Sequence, residues 1–251
     1  MGIGDSVLAT AEARYYNEKH GLPVVFADKK TKKIYWDEVF ENNPRILKEP
    51  KQGQKVIVVE NIPKRRPYIT FGTTERYYYN LEFKAEPGEL FLSDEERSSG
   101  IPDAVIIEPN TKDYGLSLNK AWPWDRWQEL VKRLDLPWVQ LGPEESRTLD
   151  GVKRVVTKTF REALGHIEKA SLVVTTDGGL HHAAAALKVP AVVLWGGLAP
   201  HTVLGYDFHT NICKTDRVCG SFHACAHCFD AMNAITVDEV ETAVKEQIAR
   251  L

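Results

Sequence analysis

Three groups of residues in this 251-residue sequence have types and spacings that can do chemistry. The first is Asp177-Gly178-Gly179, set between an apolar β-branched run, Leu172 to Thr176, and an alanine-rich segment, Leu180 to Lys188. A glycine turn that feeds a helix leaves backbone N–H groups and the positive end of a helix dipole free for an anion, typically a phosphate. The second group is Cys213, Cys219, Cys225 and Cys228 with His223 and His227, crowded into sixteen residues. Cys-x2-Cys at 225 and 228 is half of a structural zinc site, which Cys219 or His223 would complete. The plainer reading is reduced cysteines packed beneath the C-terminal helix, and the expectation is that no metal is bound. The third is Asp5, which is either the N-cap of the first helix or a carboxylate held at the mouth of a cleft.

The elements that must position these residues follow from periodicity. Ser6 to His20 reads as a helix closed by Gly21, and Pro23 to Ala27 as a short strand. Lys55 to Glu60 (KVIVVE) is a buried strand, Ile34 to Phe40 a strand or helical turn, and Arg76 to Phe83 an aromatic strand. Asn61 to Pro67 (NIPKRRP) is a basic loop, either a solvated face or a surface that meets an anionic acceptor. The polar stretch Ser93 to Asp103 makes the best domain boundary. Beyond it the rhythm is regular. Strands are expected at Ala104–Glu108, Pro137–Leu141, Val152–Val156, Leu172–Thr176 and Ala191–Trp195, with helices at Trp124–Leu134, Phe160–Ala170 and Leu180–Lys188. A final helix is capped by Thr236 and Glu239. Strand, glycine turn, helix, strand is a βαβ unit, and five such strands argue a doubly wound α/β domain with ligands at the carboxyl ends of its strands.

Composition sets the outer limits. At 43% hydrophobic and 27% charged the chain is an ordinary globular protein, and a formal net charge of −3 does not indicate a nucleic-acid binder. No apolar run reaches the length of a membrane span, and no signal peptide is evident, so the expected location is cytoplasmic. Peripheral membrane contact is left open.

The blocks in order resemble glycosyltransferase family 9, the ADP-heptose:lipopolysaccharide heptosyltransferases. Gly4-Asp5-Ser6-Val7-Leu8-Ala9-Thr10 is similar to the family's Gly-Asp-x-x-Leu-x-Thr segment. Lys120-Ala121-Trp122-Pro123 matches its Lys-x-Trp-Pro, and Gly142-Pro143-Glu144 its strand-end Gly-x-Glu. Asp177-Gly178-Gly179-Leu180-His181-His182, followed by AAAALKVP and Gly196-Gly197-Leu198-Ala199-Pro200, matches its Asp-Thr-Gly-x-x-His motif and the elements after it. About two thirds of the chain is covered, and residues from about 28 to 100 show no match. The resemblance implies a GT-B-like α/β architecture: two Rossmann-like domains across a cleft, with a reduced acceptor-side domain at 1–100 and a nucleotide-sugar domain at 101–251.

Carried over residue by residue, the resemblance makes Asp5 the general base, beside Gly4. Lys120 becomes the phosphate-binding lysine and Glu144 the acid that contacts the nucleoside. Asp177, Gly178, Gly179 and His182 line the donor pocket, while His181 packs. The implied reaction is an inverting, metal-independent transfer of a sugar from a nucleotide-diphosphate donor, a co-substrate and not a cofactor, to a hydroxyl on a saccharide, glycolipid or other acceptor. Lys120 and the amides near Gly178 would stabilise the leaving diphosphate, and domain closure would bring acceptor to donor. The sequence departs from the family in three places. Only Met1-Gly2-Ile3 precede Gly4 where a strand is usual, so the first sheet lacks its first strand or the start lies upstream. The first half is short. Gly178 stands where the family has threonine. Those departures keep two alternatives open, a non-catalytic nucleotide-sugar-binding protein and a glycosyltransferase acting on modified DNA bases, and the cysteine cluster a third, a zinc-stabilised nucleic-acid module.

Overall fold

The computed structural model describes residues 2–62, 65–112 and 114–251. Pro63 and Lys64 of the expected basic loop lie outside the described residues.

Helix α1 (Ile3–His20) begins three residues earlier than the apolar periodicity suggests. Gly2 is its N-cap, so Asp5 is not the cap but the third residue of the first turn, where its Oδ2 accepts the Gly2 N–H at 3.1 Å. Gly21 ends the helix as expected, with φ 66 in the left-handed region that glycine enters without strain. Strands β1 (Val24–Phe26) and β2 (Ile57–Val59) form a two-stranded parallel pair. Between them the 34–40 segment settles as a 3₁₀ turn, Glu38–Phe40. An antiparallel hairpin follows, β3 (Ile69–Gly72) with β4 (Tyr77–Tyr79). Up to Tyr79 the chain therefore consists of three small units around one long helix.

Helix α2 (Asp94–Ser99), capped by Ser93 and Glu96, occupies the expected domain boundary. The remaining chain builds β5 (Val105–Glu108), α3 (Trp124–Arg133), β6 (Trp138–Gly142), β7 (Lys153–Val156) and α4 (Phe160–Lys169). It continues with β8 (Leu172–Thr176), α5 (Gly179–Ala186), β9 (Ala191–Trp195), α6 (His201–Leu204), β10 (Thr210–Cys213), α7 (Ala226–Ala234) and α8 (Val237–Ile248). All five strands read from the sequence are present to within two residues; β10 is an addition. They form one parallel sheet in the order β10-β9-β8-β5-β6-β7.

Helices cover both sheet faces, which is why the central strands are apolar at every position. Val105, Ile107, Leu172 and Val174 face α3 and α8, with Trp127, Leu130, Val240 and Val244. Ile106, Val173 and Val193 face the other way, into a core shared with Val7 of α1, Phe26 of β1 and Val59 of β2. One apolar core thus runs across the 1–100 and 101–251 division.

The boundary segment is itself packed. A Cβ added at Gly165 of α4 would collide with the Glu96 carbonyl oxygen of α2, and one at Gly100 with the Gly165 carbonyl. Arg161 of α4 pairs with Glu96 and donates to the Phe91 carbonyl at 2.8 Å. Overpacking a tight site costs about 1–3 kcal/mol. Gly165→Ala should therefore lower the urea midpoint by a corresponding amount at an unchanged m-value, which equilibrium unfolding would measure.

Candidate active site

The strand order reverses between β5 and β8, and in an open α/β sheet that reversal opens a crevice beyond the carboxyl ends of the strands. Here the crevice holds about 800 Å³, and its walls include Asp5, Tyr79, Glu108, Lys120, Asp177 and Gly179.

Asp177 follows β8 directly and is only 8% exposed. Lys120 Nζ reaches its Oδ2 at 2.7 Å from the end of a 3₁₀ turn, Gly115–Lys120. Burial alone would push the Asp177 carboxyl up, but Lys120 and His181 outweigh it and hold the group below its usual range. Asn119, 1% exposed, anchors that turn: its side-chain amide donates to the carbonyls of Ser221 and His223 and accepts the Cys225 N–H.

The glycine turn is partly satisfied from within. Gly178 N–H donates to His181 Nδ1 at 3.0 Å. Since Nδ1 must accept that bond, the proton sits on Nε2, which donates to the Leu204 carbonyl at 3.3 Å. His181 is wholly buried and its basicity is depressed by burial to about 4, so it is a neutral brace for the turn and more than a packing residue. The Gly178 amide is consequently not available to a phosphate, contrary to the sequence expectation; the amides of Gly179 and Leu180, at the start of α5, are. A Cβ at residue 178 would meet nothing nearer than 3.9 Å, so a threonine there would find room. His182, 3% exposed, bonds Tyr206 OH through Nδ1 at 2.7 Å and lines the crevice, leaving Nε2 for a ligand. Burial holds its basicity well below the ordinary value, so it too is neutral.

Asp5 stands across the crevice. Its Oδ1 accepts Arg66 Nη1 at 2.9 Å and the Tyr68 hydroxyl, while Oδ2 caps Gly2. A carboxylate has roughly four lone-pair sites. Three are taken by these donors, and one is left over. Burial, reinforced by the Asp5 charge, pushes the Tyr68 phenol well up and so keeps it a donor. Arg66, 6% exposed, is used inside the protein, whereas Arg65 is exposed and pairs with Glu60 at 2.8 Å. Gly4 explains why α1 can come this close: a Cβ there would lie 2.9 Å from His182 Cδ2 and 3.4 Å from the Gly178 carbonyl carbon. The helix of Asp5 is thus docked on the helix of the glycine turn, and no closure is needed to bring them together.

Glu144 is not brought to this site. It is exposed in the turn after β6, outside the crevice wall. The acid that does line the crevice is Glu108, at the carboxyl end of β5. Burial pushes its carboxyl up to about 7 against the bonds it accepts from Asn110. Its place at a strand end beside the order reversal was the available signal. Arg66, Tyr68 and Tyr79 were also missed as site residues, because basic loops and tyrosine-rich strands read as surface and packing. Trp122, which Lys120-Ala121-Trp122 places near the crevice, is 3% exposed and packs on Trp127.

Beside the site lies a second cluster. Ligand atoms of Cys219, Cys225, His227 and Cys228 fall within 4.8 Å of one another. Cys219 and Cys228 share a proton at 3.0 Å, and the hydrogen bond from Cys228 lowers the Cys219 thiol. His227 Nε2 bonds Thr215 Oγ1 at 2.9 Å, whereas its Nδ1 is buried and without a partner among the described residues. His223 and Cys213 do not join: His223 is exposed beside Glu75, and Cys213 donates to the Thr215 carbonyl.

The whole chain superposes on a glycosyltransferase family 9 structure from Veillonella parvula, at a TM-score of 0.68 and 14% identity, over 95% of that chain. It also superposes on the iron-containing dodecameric glycosyltransferase TibC of enterotoxigenic Escherichia coli, at a TM-score of 0.68 and 14% identity, over 76% of that chain. The fold is therefore the GT-B fold of glycosyltransferases. Residues 144–235 match the model of glycosyltransferase family 9 (heptosyltransferase). Lipopolysaccharide heptosyltransferase 1 of Escherichia coli strain K12 is 30% identical over 126 residues, and its counterpart in Salmonella typhimurium is 30% identical over 125. Each match spans 45% of this chain and 38% of the relative. The chain is similar to family 9 heptosyltransferases in the half that carries the glycine turn, and it spans well under two thirds of the length of these relatives. No helix among the described residues is long and apolar enough to cross a membrane.

Glu108 gives the site a pH signature. Its native carboxyl titrates above the unfolded one, so its contribution to stability is full below about pH 4.5 and is lost as pH rises through about 7. Relative to wild type, Glu108→Gln should be closer to neutral near pH 5 and more stabilising near pH 8. Urea midpoints of both proteins at the two pH values would show the difference.

Proposed function

We propose that this chain is an inverting glycosyltransferase that moves a sugar from a nucleoside-diphosphate donor to an acceptor hydroxyl. The observation that carries the reading is the meeting of two opposed groups across one crevice: the Lys120–Asp177 turn on the sheet side and Asp5 on α1. As the glycosidic bond breaks, negative charge gathers on the diphosphate. Lys120 keeps two of its three N–H donors beyond the one on Asp177, and the first amides of α5 point into the same space. These fixed positive groups stabilise the leaving group at the reacting atoms. The attacking hydroxyl loses its proton to the remaining lone pair of Asp5, while Arg66 and Tyr68 hold the carboxylate in place. A single base and a single displacement invert the configuration. Glu108 and His182, both lining the crevice, are suited to hydrogen bonds with the donor's hydroxyls.

The test separates binding from chemistry. Nucleoside diphosphates and nucleotide sugars should raise the melting temperature of the wild type, and Lys120→Ala should weaken that shift. Asp5→Asn should keep the shift and lose about 10²–10⁴-fold in transfer, the usual range for removing a general base. No shift with any donor sinks the proposal; a shift with unaltered transfer in Asp5→Asn leaves a transferase with another base.

We also propose that Cys219, Cys225, His227 and Cys228 hold a structural zinc or iron ion, in place of the reduced, metal-free packing expected from the sequence. A tetrahedral set of three thiolates and an imidazole suits either metal. The free, buried Nδ1 of His227, with Nε2 oriented by Thr215, is the arrangement of a ligating histidine and its supporting bond. The TibC structure, alike over the whole chain, is titled iron-containing. Purified protein should carry about one metal per chain by elemental analysis, and Cys225→Ser should lose it and melt at a lower temperature. Metal-free wild type of unchanged stability would refute the site.

A further inference from the structure

Two neutral histidines stand side by side in the first turn of α5, with ring centroids 3.8 Å apart. The bonds of His181 place its proton on Nε2. The proton of His182 is decided by a residue outside the crevice wall. Tyr206 follows α6, is 2% exposed, and holds its hydroxyl 2.7 Å from His182 Nδ1.

Two arrangements satisfy that distance. In one, Nδ1–H donates to the phenol oxygen and Nε2 turns a lone pair to the crevice. In the other, the phenol donates to Nδ1 and Nε2 carries the proton. The first strands the Tyr206 O–H, because His182 is the sole partner of that hydroxyl among the described residues. A buried donor without an acceptor forfeits its bonds to water and gains nothing in return. The second uses every polar atom of the pair and leaves Nε2–H for the ligand space. Burial and the Asp177 charge push the Tyr206 phenol well up, so it keeps its proton. His182 takes no second proton: burial first, then His181, Lys120 and His209, hold its basicity down, and the Asp177 carboxylate is committed to Lys120.

The hydroxyl has one position. The Tyr206 carbonyl accepts the His209 N–H and the Asn211 Nδ2–H, each at 3.1 Å, and Asn211 Oδ1 accepts Trp195 Nε1–H at 2.9 Å. The Tyr206 ring packs edge-on against His209, with centroids 5.3 Å apart. The other edge of the His182 ring borders the glycine turn. A Cβ at Gly4 would lie 2.9 Å from His182 Cδ2, the ring atom next to Nε2, and 3.4 Å from the Gly178 carbonyl carbon. His182, Gly179 and Lys120 line one crevice.

Building on the proposed transferase reading, we infer that Tyr206 is a positioning residue that fixes His182 as a neutral Nε2–H donor to an accepting oxygen of the nucleotide sugar. A phosphate oxygen and a sugar oxygen share that chemistry, and a lone pair at Nε2 would repel either one. Tyr206 thus decides, without touching the substrate, whether His182 attracts it.

The tautomer is read first, in the free full chain, by NMR of the ring nitrogens in histidine-labelled protein. His182→Gln identifies the resonance by removing it from the spectrum of eight histidines. Nε2 should be the protonated nitrogen at neutral pH. Tyr206→Phe, which loses one oxygen and keeps the packing ring, should give a mixture of both tautomers. A wild-type His182 protonated at Nδ1 or at both nitrogens overturns the inference, as does an unchanged tautomer in Tyr206→Phe. Binding is read second, by calorimetry with ADP, GDP and UDP and their glucose esters. Tyr206→Phe should lose about tenfold or less in affinity, the size of one net neutral hydrogen bond. The loss appears with the free diphosphates if the accepting oxygen is a phosphate's, and with the glucose esters alone if it is the sugar's. In the His182→Gln background, where the amide donor needs no tautomer, Tyr206→Phe should change affinity by less than about twofold. An equal loss in both backgrounds, or no loss with any ligand, overturns the inference. Should Tyr206→Phe fail to fold, the wild-type tautomer decides alone. Failure of every nucleotide to bind the wild type would instead overturn the transferase reading, and is seen before any variant is made.

Discussion

A carboxylate at 8% exposure stays charged beneath a sheet only when a cation meets it, and for Asp177 that cation is Lys120 at 2.7 Å. Removing either partner from such a pair strands the other at a cost of about 3–5 kcal/mol. The pair also has a geometric effect. Lys120 arrives from the loop after β5 and Asp177 from the end of β8, so one contact pins together the two strands that flank the reversal of the sheet. Asn119, the preceding residue, ties the same turn to the cysteine loop through three hydrogen bonds. Glycine turn, lysine loop and cysteine cluster are therefore one mechanical unit, and disturbance of the cluster would be felt at Lys120.

The second half of the chain was legible because its signals are local. Apolar runs bounded by glycine or proline gave five strands of the parallel sheet, and the Thr236–Glu239 box gave the last helix. β10 escaped notice because Thr210–Cys213 is half-buried and polar at its start. The glycine turn between β8 and α5 was legible too, though not the hydrogen bond by which His181 occupies the Gly178 amide. Such a bond depends on where the α6 segment places the Leu204 carbonyl, and no spacing rule records that.

Less of the first half could be read. Its strands have three or four residues each, too short for alternation to declare itself, and its helix start was misjudged because Gly2-Ile3-Gly4 has no helical appearance. The partners of Asp5 were invisible for the same reason: Arg66 and Tyr68 lie more than sixty positions away in a segment that reads as solvent-facing. Glu144 shows the opposite failure. A motif match placed it at the site, yet the turn after β6 sits one strand away from the reversal, and it is Glu108 on β5 that lines the crevice.

The contact of Gly4 with His182 fixes more than a distance. With no hinge between the carboxylate of α1 and the turn of α5, the site stands assembled while still open to solvent. On the proposed transferase reading, a water molecule resting where an acceptor hydroxyl belongs would face the same carboxylate and the same glycosidic bond. Protection of the donor from wasteful hydrolysis would then fall to occupancy of the acceptor side, and the order in which substrates arrive would be the means by which a site that does not close keeps its donor intact.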